Sequence, residues 1–290
     1  MRLPFVRLSG ALALLAGGAL VAGAALLTGA AVAAGDTGAD RLAAQELGKG
    51  SPAIVLIHSI GGDRSDWARV APILASRHRV ILVDLPGHGQ SPPPVAEPTV
   101  AGAAAAVART LAERRVEHAI LVGHSYGALV ALQAALDQPK RVAAVVVVDA
   151  SSFSPADSAR VAAATQILRE RYTVFLSAVY STMSRDEARG ESLMVRAMRV
   201  PQPVLTGYFL DAWREDLRPR LRALKTPVHV IATEGMWPAG ESWSSARIRL
   251  GYETAGTAQG YRVADSGHAV AADQPDSLAA IIESIASARR

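Results

Sequence analysis

After residue 50 the chain moves between two hydrophobic rhythms. Runs that are apolar at almost every position, "AIVLIHSI" (53–60), "HRVILVDLPGHG" (78–89), "HAILVGHS" (118–125), "VAAVVVVDAS" (142–151) and "TPVHVIATEG" (226–235), are rich in β-branched residues and end in glycine or polar clusters, with "YRVADSGH" (261–268) a weaker sixth. Continuous apolar runs of this length predict strands buried on both faces. Before them, "LAAQELGKGSP" (42–52) predicts a short edge strand and turn. Between them, "DWARVAPILASR", "VAGAAAAVARTLAERR", "YGALVALQAALDQP" and the terminal "QPDSLAAIIESIASARR" carry apolar residues at helical spacing. Alternating strands and helices predict an α/β fold whose mostly parallel sheet is flanked by helices. Ligands of such sheets bind beyond the carboxyl ends of the strands.

The alternation breaks over residues 152–222, where helical patterns follow one another without a strand. Ser154 with Pro155 and Asp157 predicts a helix start, and "SRDE" (184–187) predicts a capping box led by Ser184. Stripes through Val161, Leu168, Tyr172, Leu176 and Val179, and through Leu205, Tyr208, Phe209 and Trp213, recur every three or four residues. They predict a helical cap at 152–222 lying over a core made of 35–151 and 223–290.

The first residues differ in composition. Arg2 and Arg7 precede a run free of charge until Asp36, with Ala31-Val32-Ala33 near its end. Residues 1–34 therefore predict a secretory signal peptide and an exported protein, periplasmic or extracellular. A retained membrane anchor is the alternative, because about 20 apolar residues can span a bilayer.

The chain of 290 residues is half hydrophobic and contains no cysteine, so packing has to stabilise it and thiol chemistry is excluded. A formal net charge of +4, part of it in the leader, gives no basic footprint for nucleic acid. None of the seven histidines stands in a metal-ligand spacing, so neither a metal nor a cofactor is expected. The expected partner is a small-molecule substrate. A membrane is a partner only if the leader stays attached, and oligomeric state is open.

The chemistry concentrates at Gly123-His124-Ser125-Tyr126-Gly127, where a strand-like run meets a helix-like one. A serine hydroxyl becomes a useful nucleophile when it is held rigidly, exposed to substrate and placed against a base. A sharp strand-to-helix turn holds it so, and requires glycine two residues either side. The same turn aims unpaired N–H groups of the helix start at developing negative charge.

With this motif, residues 40–290 resemble the α/β-hydrolase fold family, in its serine-nucleophile branch with a helical cap. "IVLIHSIGGDRSDW" is similar to that family's oxyanion loop, which implies that the N–H groups of Ile60 and Tyr126 form the oxyanion hole. Ser59 stands where the family usually has glycine. "VILVDLPGHGQS" resembles a structural strand-and-turn signature, with His88 a loop residue. "VADSGHAVAADQP" resembles the terminal Gly-His loop and implies that His268 is the base. His58, His78, His118, His124 and His229 read as strand-end, surface or packing residues.

The acid departs from the commoner pattern. Family members usually carry it in the loop after "PVHVIATEG", at a position filled here by Met236. Asp149, at the end of the preceding strand, matches the placement in one branch of haloalkane dehalogenases. It is the first candidate, with Glu234 the second and Glu241 a remoter one. The resemblance implies a serine hydrolase cleaving a small to medium ester through an acyl-enzyme intermediate, a carboxylesterase-like activity. A hydrolase of amides, lactones or carbon–carbon bonds, a perhydrolase, and a noncatalytic ligand-binding protein on the same fold are the alternatives.

Overall fold

The computed structural model describes residues 41–154 and 157–289, so the expectations for 1–34 and for Pro155 lie outside the described residues. Strands β1 (Ala44–Leu47), β2 (Ile54–Ile57), β3 (Val80–Val83), β4 (Ala119–His124), β5 (Val142–Val148), β6 (Val228–Thr233) and β7 (Gln259–Val263) form one sheet in the order β1-β3-β2-β4-β5-β6-β7. β1 runs antiparallel to β3, and the remaining neighbours are parallel. Around and between them lie helices α1 (Ala71–Ala75), α2 (Val100–Glu113), α3 (Tyr126–Asp137), α4 (Ser158–Glu170), α5 (Tyr172–Tyr180), α6 (Glu187–Ala197), α7 (Gln202–Arg214), α8 (Arg218–Leu221), α9 (Trp243–Arg249), α10 (Val270–Asp273) and α11 (Pro275–Ser287).

The two-sided burial expected from the apolar runs follows from this layering. Val55, Leu121, Val145 and Val147 pack with Val107 of α2 and Val130 of α3 on one face. Their neighbours Leu56, Val122, Val146 and Val148 pack with Leu74 of α1 and Ile282 of α11 on the other. Alternation of side chains across a strand requires both faces to be apolar when both are covered.

The chain leaves β2 for β3 on one side, then crosses back to place β4 on the other. The loops after β2 and β4 therefore diverge, opening a crevice at the carboxyl ends of these strands. At the outer edge, the four-residue β1 carries Glu46, whose carboxylate accepts from Arg79 Nε at 2.7 Å and Nη2 at 2.9 Å. The Arg79 hydrogen bond holds the Glu46 carboxyl below its ordinary pKa.

Three local expectations need correction. The segment 66–77 is not one helix: a 3-10 turn at Arg64–Trp67 precedes the short α1, whose early Pro72 has no N–H to continue the preceding turn. α4 is capped not by Ser154 but by Asp157, which accepts from the Arg160 N–H at 2.8 Å. α6 is capped not by Ser184 but by Asp186, which accepts from the Arg189 N–H at 3.1 Å. In both cases a carboxylate nearer the first turn reaches the open donors.

Helices α4 to α8 lie between β5 and β6 in the chain. Phe175 of α5 packs edge-on against Phe209 and Trp213 of α7, with ring centroids 5.0 and 5.8 Å away. Arg196 of α6 reaches the loop after β2, with Nη1 2.7 Å from Asp66 Oδ1 and 2.6 Å from Ser65 Oγ.

Candidate active site

Ser125 sits between β4 and α3 with φ 53° and ψ −117°, in left-handed backbone that costs a non-glycine residue about 1–3 kcal/mol. Its N–H donates to the Val148 carbonyl at 3.0 Å, which anchors the turn to β5. The crowding explains the flanking glycines. A Cβ at Gly123 would lie 2.1 Å from the Gly127 carbonyl oxygen, and one at Gly127 would lie 2.5 Å from the carbonyl oxygens of Ile57 and His58. Tyr126 opens α3, so its N–H has no intrahelical acceptor, and Ser125 makes no side-chain cap bond to the first turn.

His268 follows β7, in the loop before α10. Its Nδ1 lies 2.7 Å from Asp149 Oδ2, and Asp149 Oδ1 accepts from the Thr233 N–H at 2.8 Å. Asp149 is buried at the end of β5 and held there by an N–H bond to the Ile231 carbonyl at 2.7 Å. Both carboxylate oxygens are thus committed, and Nδ1–H of His268 must be the donor, which leaves Nε2 as the ring's available nitrogen. Of the three carboxylates considered from sequence, the fold brings Asp149 to His268. Glu234 is exposed, and Glu241 pairs with Arg249 at 2.5 Å.

Neighbours that sequence reading left aside hold the His268 backbone. His124 Nε2 lies 2.7 Å from the His268 carbonyl, the Ala269 N–H donates to the Met183 carbonyl at 2.7 Å, and the Gly267 N–H donates to Asp273 Oδ2 at 2.8 Å. The carbonyl can only accept, so His124 carries its proton on Nε2. Ser184 joins the same support by donating to Asp273 Oδ1 at 2.5 Å, which is where its hydroxyl goes instead of capping α6.

The loop after β2 is fixed in a comparable way. His58 Nδ1 donates to the Ser59 carbonyl at 2.7 Å, and the Gly62 N–H donates to the same carbonyl at 3.1 Å. In a trans peptide the Ile60 N–H points opposite to that carbonyl. The Leu85 N–H donates to His58 Nε2 at 2.8 Å, and the Gly61 N–H donates to His88 Nε2 at 3.1 Å. A backbone N–H can only donate, so each Nε2 must be an unprotonated acceptor. Burial agrees with this, pushing His58 down to about 4 and His88 and His124 each down to about 3. The residue requiring glycine here is Gly61, with φ 73° and a would-be Cβ 2.1 Å from Tyr180 Oη. Ser59, which replaces the commoner glycine, is accommodated without positive φ.

Ser125, His268 and Ile60 line one cavity of about 280 Å³, together with Val179, Met183 and Phe209 from the helical insertion. Among the described residues, no Asp, Glu, Lys or Arg lines it. Ser125 and His268 line this cavity together, and among the described residues no hydrogen bond joins their side chains directly. Among the described residues no group of three or more His, Asp or Glu side chains is placed to hold a metal ion.

Residues 54–281 match the model of the alpha/beta hydrolase family. The chain belongs to that family. This hydrolase is 33% identical over 198 residues to a pimeloyl-[acyl-carrier protein] methyl ester esterase of Edwardsiella ictaluri, covering 62% of this chain and 73% of that protein. It is 40% identical over 121 residues to the dihydrolipoyllysine-residue acetyltransferase component of an acetoin cleaving system of Cupriavidus necator. That match covers 42% of this chain and only 32% of the relative, about a third of its length. In fold the hydrolase is similar to a thermophilic esterase from Thermogutta terrifontis, with a TM-score of 0.73 at 21% identity over 86% of this chain and 94% of that one. An enol-lactonase from Burkholderia xenovorans LB400 gives a TM-score of 0.70 at 21% identity over 84% and 95% of the two chains. The Edwardsiella relative and the two structural neighbours are named as esterases or a lactonase, the Cupriavidus relative as an acetyltransferase component, and this chain is an enzyme of the alpha/beta hydrolase family.

Proposed function

We propose that this hydrolase is a serine esterase acting on neutral esters of small to medium size. The observation that carries the reading is a serine at a strained turn sharing a cavity, whose described walls carry no Asp, Glu, Lys or Arg, with a histidine bound to a buried aspartate at 2.7 Å. In this reading Ser125 Oγ bonds to the acyl carbon while His268 Nε2 takes the hydroxyl proton. The carbonyl π pair moves onto oxygen, where the N–H groups of Ile60 and Tyr126 stabilise it. Asp149 fixes the ring's orientation and stabilises the imidazolium. Collapse of the adduct expels the alkoxide, which receives the proton from His268, and leaves an ester on Ser125. Water then adds to that ester, giving its proton to His268, and the second collapse releases the carboxylic acid and restores the serine hydroxyl.

The cavity walls support the substrate class. Apolar side chains of the insertion favour an apolar acyl or alkoxy group, and a carboxylate or ammonium on the substrate would be desolvated there without a partner. The methyl ester esterase resembled over 73% of its length supports the choice of bond. We also propose that 152–222 acts as a cap over this cavity and that residues 1–34 direct export, or else anchor the chain. The mass of the mature N-terminus tests the last point.

Labelling with a fluorophosphonate, followed by mass mapping of the adduct, tests the proposal. Modification at Ser125, absent in Ser125→Ala, is expected. Asp149→Asn should lower kcat by about 10³- to 10⁴-fold with KM little changed, while Glu234→Gln stays within about twofold. Equal losses in both variants would remove Asp149 from the mechanism, and an unlabelled wild-type protein inert towards acyl esters would overturn the esterase reading.

A further inference from the structure

The two residues proposed as oxyanion donors, Ile60 after β2 and Tyr126 at the start of α3, lie on different elements of the core. Their spacing is not set by one secondary-structure element. Each is also bonded to a side chain from the helical insertion. Tyr180, the last residue of α5, donates its hydroxyl to the Ile60 carbonyl at 2.8 Å. Tyr126 donates its hydroxyl to Asp211 Oδ2 on α7 at 2.7 Å, and the same oxygen accepts the Val100 N–H at the start of α2 at 2.8 Å. Tyr208, one turn before Asp211, stands edge-on to the rings of Tyr126 and His88 at 5.0 and 4.8 Å. It donates to the Pro86 carbonyl at 2.9 Å.

We propose that Tyr180 and Asp211 are positioning residues that clamp the two oxyanion donors at their working separation, so that the insertion completes the oxyanion hole as well as roofing the cavity. This rests on the serine esterase reading. Tyr180 lines the cavity, and its hydroxyl is committed as a donor to a backbone carbonyl. The Ile60 carbonyl it holds lies between the Ile60 N–H and the Gly61 N–H that His88 accepts. The Ile60–Gly61 peptide meets the Ser59–Ile60 peptide, which carries the donor, at the Ile60 Cα, so displacing it shifts the donor through the atom they share. Asp211 does the corresponding work through the Tyr126 ring, fixing the first residue of α3 against α2 and α7.

The test uses the full chain and two hydroxyl deletions that keep each ring, Tyr180→Phe and Tyr126→Phe, with Asp211→Leu and Asp211→Asn. Esters are compared with their thionoester analogues, because sulfur accepts hydrogen bonds poorly and intact donors discriminate against it. Each Phe variant and Asp211→Leu should lose about 10- to 100-fold in kcat with KM within about twofold. The oxygen-over-sulfur preference should fall by a similar factor. Asp211→Asn retains an acceptor and should keep most of both. Thermal melting and circular dichroism of Tyr180→Phe should stay close to wild type. Changes in KM alone, or an unchanged oxygen-over-sulfur preference in both Phe variants, would overturn the clamp while leaving the esterase reading intact. Undiminished turnover in Ser125→Ala would overturn both.

Discussion

Burial disfavours the charged forms of His58, His88 and His124 and keeps them neutral, and each has a partner that fixes its tautomer: a backbone N–H facing Nε2 in the first two, and a carbonyl facing Nε2 in the third. Their folded pKa values lie at about 4, 3 and 3, below the ordinary 6.5, so the unfolded chain binds protons first as the pH falls. The stability they contribute is complete above pH 6.5 and is lost as the pH drops towards 4 and 3, several kcal/mol in all. Urea melts taken between pH 7 and 4 should show that loss. In His124→Asn, whose amide can still donate to the His268 carbonyl, the slope should flatten by about one proton. At this scale the candidate nucleophile and base were legible as candidates, because a serine between two glycines and a late Gly-His loop announce themselves. The roles of His58 and His88 were not: each depends on a loop brought over from elsewhere in the fold. Asp149 and Glu234 could not be separated by a wide margin because they end neighbouring strands. Where residues 264–268 land decides between them.

Among the elements, α6 is tied to the loop after β2 through Arg196 and Asp66. Burial raises the Asp66 carboxyl to about 7, with Arg196 pulling the other way. Because the folded pKa lies above the ordinary 3.8, Asp66 withdraws stability as the pH rises from about 4 through 7. Arg196→Ala should therefore destabilise the protein by about 3 kcal/mol, and by more at pH 8 than at pH 5. Equal losses at the two pH values would show that Arg196 acts through its aliphatic stem instead. The helices of the insertion were legible as elements, since their apolar stripes recur at helical spacing. Their starts were not, because Asp157 and Asp186 compete with nearby serines for the same donors.

For the molecule as a whole, the sheet was the most legible feature. Strands covered on both sides can tolerate few polar residues, so β2 to β6 stand out as unbroken apolar runs. Strand order was not written in those runs. It emerges from the crossover between β3 and β4, which creates the crevice at the carboxyl ends of β2 and β4.

Among the described residues the sheet ends at β1 on one side and at β7 on the other. One side of the short antiparallel strand β1 is paired with β3, and on the other no strand among the described residues pairs with it, leaving amide groups that could accept a strand from another molecule. Glu46 and the guanidinium it binds stand guard there, making a foreign strand strip water from an ion pair before it can dock. Exchanging that glutamate for valine should leave turnover unchanged yet make concentrated solutions scatter light and precipitate on mild heating. If they stay clear, the brevity of the strand alone keeps neighbouring molecules apart.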